Sequence, residues 1–205
     1  PATAAATMQP FLPDVERLGQ RTAEMHLALA AGVDESLVPE PFAPDDRQRM
    51  ADGAQAMVEQ TFELLRLHAS KLDGDVRRRA DDVIKRQPMA QELIRRFAQQ
   101  QLDVDKIRCH GDYHLGQVLV TDGDYQIIDF EGEPARSLAE RRQKQLALRD
   151  VAGMIRSFHY AACAAAMHVK QSRPSVESAA IDAWAAGWYH WTARSFLAAY
   201  RKIAG

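Results

Sequence analysis

The chain has 205 residues, with 26 Lys plus Arg against 28 Asp plus Glu and a formal net charge of −2. This length suits one well-cored domain or one lobe of a larger enzyme, and the near balance of charge excludes a dedicated nucleic-acid binder with its basic excess. The two cysteines, Cys109 and Cys163, form no C-x-x-C pair or disulfide framework, which points to a reducing, cytoplasmic setting.

Residues 1–10 lack the basic start and long apolar run of a signal peptide. There is no initiator Met, so the chain is expected to be part of something longer. Pro13-Asp14 opens a helix in which Val15, Leu18, Thr22, Met25 and Leu29 recur every three or four residues, with Gly32 as its stop. Residues 33–44, carrying Pro39, Pro41 and Pro44, read as a loop. A second long helix places Met50, Met57, Thr61, Leu65 and Leu72 on one face and ends at Gly74. Met25, Met50 and Met57 are expected to be core filler, and His26 and His68 to be packed or half-buried rather than ligands. Two shorter helices follow at 76–85 and 89–97, broken at Pro88. The clusters Arg77-Arg78-Arg79 and Arg141-Arg142 sit beside acids and read as solvated faces.

The middle of the chain differs. Val118-Leu119-Val120-Thr121 and Tyr125-Gln126-Ile127-Ile128 flank Asp122-Gly123-Asp124, a strong hairpin signal. Two helices close the chain at 151–170 and 176–203. The alanine-rich stretch 160–169 contains His168 and is too short to span a bilayer. In the last helix Ile181, Trp184, Trp188, Trp191 and Ser195 share one face and are expected to be mostly core. The fold class is therefore mainly α (α+β): a helical body with one small hairpin, which needs the helices to be stable.

The chemistry concentrates at the ends of that hairpin. Upstream stands His110-Gly111-Asp112-Tyr113-His114-Leu115-Gly116-Gln117; downstream stands Asp129-Phe130-Glu131-Gly132-Glu133. Antiparallel pairing makes Gln117 and Asp129 neighbours, and Asp112 on the incoming loop can approach the same point. Two carboxylates and an amide oxygen are hard ligands that suit Mg²⁺ and leave positions open for phosphate oxygens. Gly111 and Gly116 have Walker-like spacing, but Gln117-Val118 replaces Lys-Ser, so that reading fails. His110 and His114 have H-x-x-x-H spacing, yet two nearby glycines argue for a loop and no third ligand is evident, which disfavours zinc.

Phosphoryl transfer needs metal ions on the phosphates and a carboxylate to orient the attacking hydroxyl. In protein kinases an Asp is followed five residues later by a metal-binding Asn, and later by the Asp of a D-F-G. Asp112, Gln117 and Asp129-Phe130-Glu131 resemble that core, in the H-G-D form of the aminoglycoside and choline phosphotransferases. Residues 110–119, Ile128 to Pro134, Glu140-Arg141-Arg142 and Leu148 to Met154 together look like the maltokinases, a family often fused to trehalose synthase. The similarity is densest over residues 108–162.

The resemblance implies a kinase-like C-terminal lobe over residues 1–205, with its catalytic segment at 108–133 and an N-terminal ATP-clamping lobe expected before it. It implies ATP-dependent, Mg²⁺-assisted phosphorylation of maltose to maltose 1-phosphate, for trehalose and glycogen (α-glucan) metabolism. Carried over, Asp112 is the base facing the sugar hydroxyl, and Gln117 and Asp129 hold Mg²⁺. Glu131 is a further ligand or sugar contact, and His110 braces the loop. Asp150 supports the loop from a helix start, a role compatible with simple N-capping of the helix from Val151. Glu133, Arg136, Trp188 and Tyr189 are candidate sugar contacts, against the plainer readings of surface ion pairs and core aromatics. No G-x-G-x-x-G and no strand lysine of the Val-Ala-Ile-Lys kind is present. The isolated chain is therefore expected to be inactive. Other readings are a kinase of another small alcohol, aminoglycoside or choline, and a non-catalytic accessory lobe of a trehalose synthase fusion.

Overall fold

The computed structural model describes residues 10–173 and 175–205; apart from Pro10, the stretch read above for a leader lies outside them. Two compact units are present: Pro1–Glu40 with Lys106–Gly205, and Pro41–Asp105. In chain order the elements are α1 (Leu12–Ala30), β1 (Glu40–Pro41), α2 (Pro44–Ala69), α3 (Gly74–Ile84) and α4 (Gln87–Gln99). Then come β2 (Asp105–Lys106), a 3₁₀ turn (Leu115–Gln117), β3 (Val118–Thr121), β4 (Asp124–Ile127), α5 (Leu138–Arg141), α6 (Leu148–Ser172) and α7 (Ser178–Ala204). β1 pairs with β2, and β3 with β4. No helix among the described residues is long and apolar enough to cross a membrane.

The core of the larger unit is built from Leu18 and Ala23 of α1, Tyr113, Val151, Met154 and Phe158 of α6, and Phe196 and Tyr200 of α7. The α1 stripe expected from periodicity is buried at Leu18, Thr22 and Met25. Its approach to α7 is close: a Cβ on Gly19 would lie 2.5 Å from the Phe196 carbonyl oxygen, so only glycine permits this crossing. On α7 the buried face runs through Ile181, Thr192, Phe196, Ala199 and Tyr200. Trp184 is instead 55% exposed and Trp191 only half-buried. The real stripe is rotated from the one inferred, because small residues and Phe196 pack more closely against α1 and α6 than indoles would.

Within the second unit, α2 and α3 bury little beyond Ala51, Ala69 and Ala80. Met50 and Met57 are exposed at 39% and 62%, which corrects their assignment as core. His68 is exposed as well. Helical periodicity marks a face, but not whether anything packs on it. Pro88 does not separate the two short helices; it occupies the first turn of α4, where its missing N–H costs nothing.

The hairpin forms where its turn chemistry places it. β3 and β4 are antiparallel with Val118 opposite Ile127 and Thr121 opposite Asp124. Asp122 and Gly123 both have positive φ, 32° and 82°, as a two-residue type I′ turn requires. Arg21 of α1 grips Asp124 through Nε and Nη2 at 2.8 and 2.7 Å. That hydrogen-bonded pair holds the Asp124 carboxyl down at about 2. Val118, Tyr125 and Ile127 pack onto the helical core, so the hairpin's mouth is anchored beside α6.

Candidate active site

The hairpin brings together the two ends singled out in the sequence. Gln117 closes the 3₁₀ turn by donating from its backbone to the His114 carbonyl at 2.9 Å, and accepts the Ile128 amide at 3.0 Å. Its side-chain Nε2 donates to Asp129 Oδ2 at 2.9 Å, across twelve residues of chain. Asp129 has φ of 66°, a left-handed conformation that Asp tolerates better than most side chains and that marks a locally constrained position. Glu131 follows on an exposed stretch.

The loop carrying Asp112 is stitched down from two sides. The His110 ring is 1% exposed; its Nε2 meets the Ile128 carbonyl at 2.8 Å and its Nδ1 accepts the Asp112 amide at 3.3 Å. Phe130 covers it, with ring centroids 4.9 Å apart. From below, the Asp150 carboxylate accepts the backbone N–H groups of His110 at 2.7 Å and Gly111 at 3.0 Å. The turn at Gly111 needs glycine: its φ is 88°, and a Cβ would lie 3.2 Å from Gly132 Cα.

Asp150 does not cap its helix. α6 begins at Leu148, with Ala147 at the cap position, so Asp150 stands in the first turn and turns its carboxylate inward. It is 2% exposed and is also met by His26 Nε2 at 3.2 Å, while His26 Nδ1 contacts the Tyr200 hydroxyl at 2.9 Å. Burial pushes the Asp150 carboxyl up, but His26 and the Gly111 and His110 amides outweigh that and hold it below the ordinary value. A parallel tie fixes Tyr113. Thr22 Oγ1 donates to the Leu18 carbonyl, so the Tyr113 hydroxyl donates to Thr22 at 2.8 Å. Ser157 Oγ accepts the Leu115 amide at 3.0 Å.

His26, Thr22, Tyr200 and Ser157 were not picked out by motif. A signal existed for two of them: Thr22 and His26 lie four apart on an otherwise apolar stripe, and buried polar groups must find partners.

Of the candidate sugar contacts, Glu133 pairs with Arg136 at 2.6 Å and lies 3.5 Å from Arg149. Together with Gly111, Gly132 and Arg141 these residues line a narrow cleft beside the loop. Trp188 and Tyr189 pack on the core from α7, edge-on to Phe158 and His159 of α6. Trp188 and Trp184 also line an apolar groove of about 560 Å³ between α6 and α7. Its alanine-rich walls offer nothing for phosphate or sugar hydroxyls, so it is not the reaction site.

Among the described residues no three His, Cys, Asp or Glu side chains converge on one point. The Gln117–Asp129 pair nevertheless offers an amide and a carboxylate oxygen at the hairpin mouth. That small, hard set suits Mg²⁺, which takes one or two protein oxygens and completes its shell with phosphate and water.

Residues 9–132 match the family model described as the phosphotransferase enzyme family. The chain belongs to that family. The chain is 38% identical over 95 residues to a glucosamine kinase from Streptacidiphilus jiangxiensis, a match covering 46% of the chain and 20% of the relative. It is 39% identical over 61 residues to a glucosamine kinase from Mycolicibacterium smegmatis, covering 30% and 15%. Among solved structures, a glucosamine kinase in complex with glucosamine, ADP and inorganic phosphate matches 98% of the chain at TM-score 0.70 and 27% identity. The chain spans only 45% of that solved chain. The agreement extends to the helical, hairpin-bearing kinase-like lobe expected from sequence. Maltose as the acceptor rests on the sequence resemblance alone.

Proposed function

We propose that this chain is the C-terminal, acceptor-side lobe of an ATP-dependent sugar kinase, with glucosamine as the first acceptor to test. The observation that carries the reading is the Gln117–Asp129 contact at 2.9 Å, at the mouth of a hairpin beside the braced Asp112 loop. Asp112 orients the acceptor hydroxyl and takes its proton as the phosphoryl group arrives. Gln117 and Asp129 hold Mg²⁺, which when bound neutralises phosphate charge. His110 and Asp150 keep the loop in place, and Glu131, Glu133 and Arg136 form the acceptor wall. The sugar class is supported by the glucosamine kinases that the chain resembles over 98% of its fold. Maltose is the second acceptor to test, because the resemblance to maltokinases covers nearly the whole chain and is densest over residues 108–162, and a trehalose synthase fusion remains part of that reading. The setting proposed is cytoplasmic, in keeping with the two unpaired thiols.

The test is ADP formation by the full-length protein that contains this chain, with Mg²⁺-ATP and glucosamine, maltose, an aminoglycoside or choline in turn. Turnover is expected with glucosamine. Turnover with maltose alone reassigns the acceptor, and preference for an aminoglycoside or choline removes the sugar class. Failure with every acceptor, in a folded protein that binds Mg²⁺-ATP, favours an accessory lobe. The 205-residue chain alone, carrying no phosphate-clamping glycine loop, is expected to turn over negligibly.

A further inference from the structure

The sequence places a second histidine, His114, two residues beyond Asp112, and the function proposed above gives it no task. One ring nitrogen is hydrogen-bonded and the other faces a charge. Nδ1 accepts the Gly116 amide at 3.0 Å, which caps the 3₁₀ turn that delivers Gln117. An Nδ1 that accepts leaves the proton of the neutral ring on Nε2. That Nε2 lies 4.0 Å from Asp112 Oδ2, with the two side chains 44% and 35% exposed. The distance exceeds a hydrogen bond but is short enough for the Asp112 charge and the ring to act on each other.

Gly116 explains how the ring fits. A Cβ there would fall 2.8 Å from His114 Cε1 and 2.9 Å from Nδ1. Gly116 is absent from the positive-φ glycines, so the backbone does not demand glycine at this position; the imidazole does. Gly116 is thus kept bare so that the ring can lie over the turn, with its Nε2 4.0 Å from Asp112 Oδ2.

We propose that His114 is a positioning residue for Asp112: its Nε2–H biases Oδ2, leaving Oδ1 to the acceptor hydroxyl, while its Nδ1 holds the turn beneath Gln117. This rests on the reading of Asp112 as the base. The two nitrogens can be tested separately. Asn at 114 places an amide oxygen where Nδ1 was and has nothing at the Nε2 position, whereas Gln reaches the Nε2 position but abandons Nδ1.

The experiment compares wild type, His114→Asn, His114→Gln, Gly116→Ala and Asp112→Asn in the full-length kinase, with glucosamine and Mg²⁺-ATP. His114→Asn is expected to lower kcat about tenfold with KM for ATP unchanged, in the range seen when a supporting partner is lost. His114→Gln should retain more of kcat than His114→Asn, and Gly116→Ala should fall with His114→Asn because it displaces the ring. A wild-type kcat for His114→Asn, with His114→Gln impaired, assigns the ring to the turn alone and overturns the proposal. Full activity in Asp112→Asn sinks instead the base reading beneath it. A second measurement needs no turnover: long-range ¹H–¹⁵N spectra of the 205-residue chain in mildly alkaline buffer. They should show His114 with its proton on Nε2; a proton on Nδ1 also overturns the proposal.

Discussion

In the proposed function Asp112 and Asp129 take different roles, base and metal ligand, and their substitutions should then fail differently. Asp112→Asn keeps the shape and removes the proton acceptor, so in the full-length enzyme kcat should fall by roughly 10²–10⁴ with KM for ATP little changed. Asp129→Asn weakens the metal's carboxylate, so its defect should shrink as Mg²⁺ is raised. A Mg²⁺ titration in which both variants recover alike would show the division to be wrong. Asp150 acts at one remove. Asp150→Asn leaves two loop amides facing an amide instead of a carboxylate in a buried site, and should cost roughly 2–4 kcal/mol. Its acid behaviour follows from the sign of its shift. The folded carboxyl binds a proton less readily than the unfolded one, whose ordinary value is 3.8. The stabilisation is therefore fully present above about that pH and is lost as pH falls through the lower folded value. Acid unfolding followed by circular dichroism should show a flatter acid limb in Asp150→Asn than in wild type; identical limbs would contradict the linkage.

At the scale of elements, the legible features were those specified locally. The hairpin could be placed because Asp122-Gly123 imposes its own turn, and pairing then dictates that Gln117 meets Asp129. The 110–117 loop stands out as a candidate site by the order of its residue types. The ties that hold it were not, because His26 reaches Asp150 across 124 residues and Tyr200 across 174, and no spacing rule spans such separations. Met50 and Met57 misled because a stripe is a property of one helix, and burial a property of two. Gly153 of α6 belongs with the hidden ties. A Cβ there would stand 2.7 Å from the Tyr113 carbonyl oxygen, a backbone atom that moves only with the loop itself. Gly153→Ala should cost about 1–3 kcal/mol and lower kinase activity although it touches no reacting group. A Tm and a rate both equal to wild type would mean that the helix shifts instead of the loop.

On the scale of the whole molecule, the larger unit is discontinuous: the chain leaves it after Glu40 and re-enters at Lys106. The exit and re-entry points are close, since Lys106 Nζ lies 3.4 Å from Glu40 Oε2. Replacing Pro41–Asp105 by a short glycine-containing turn should therefore leave the remaining unit folded, with a cooperative thermal transition. Loss of that transition would show that the second unit is needed for the first to fold. Everything assigned here to phosphoryl transfer lies in the first unit, a division that appeared in no composition shift or linker of the sequence.

That interrupted layout carries a consequence for biosynthesis. In chain order α1 precedes α6 and α7, yet the residues that pack on Leu18 and His26 include residues of those two helices. Pro41–Asp105 is continuous and can settle early, whereas α1 must wait, apolar face uncovered, until α6 and α7 have emerged. Contacts of such long sequence separation close slowly, and an exposed amphipathic helix is the kind of segment that chaperones protect during synthesis. The bracing of the Asp112 loop by Asp150 and Ser157 then waits for α6, and the support of Asp150 through His26 and Tyr200 waits for α7.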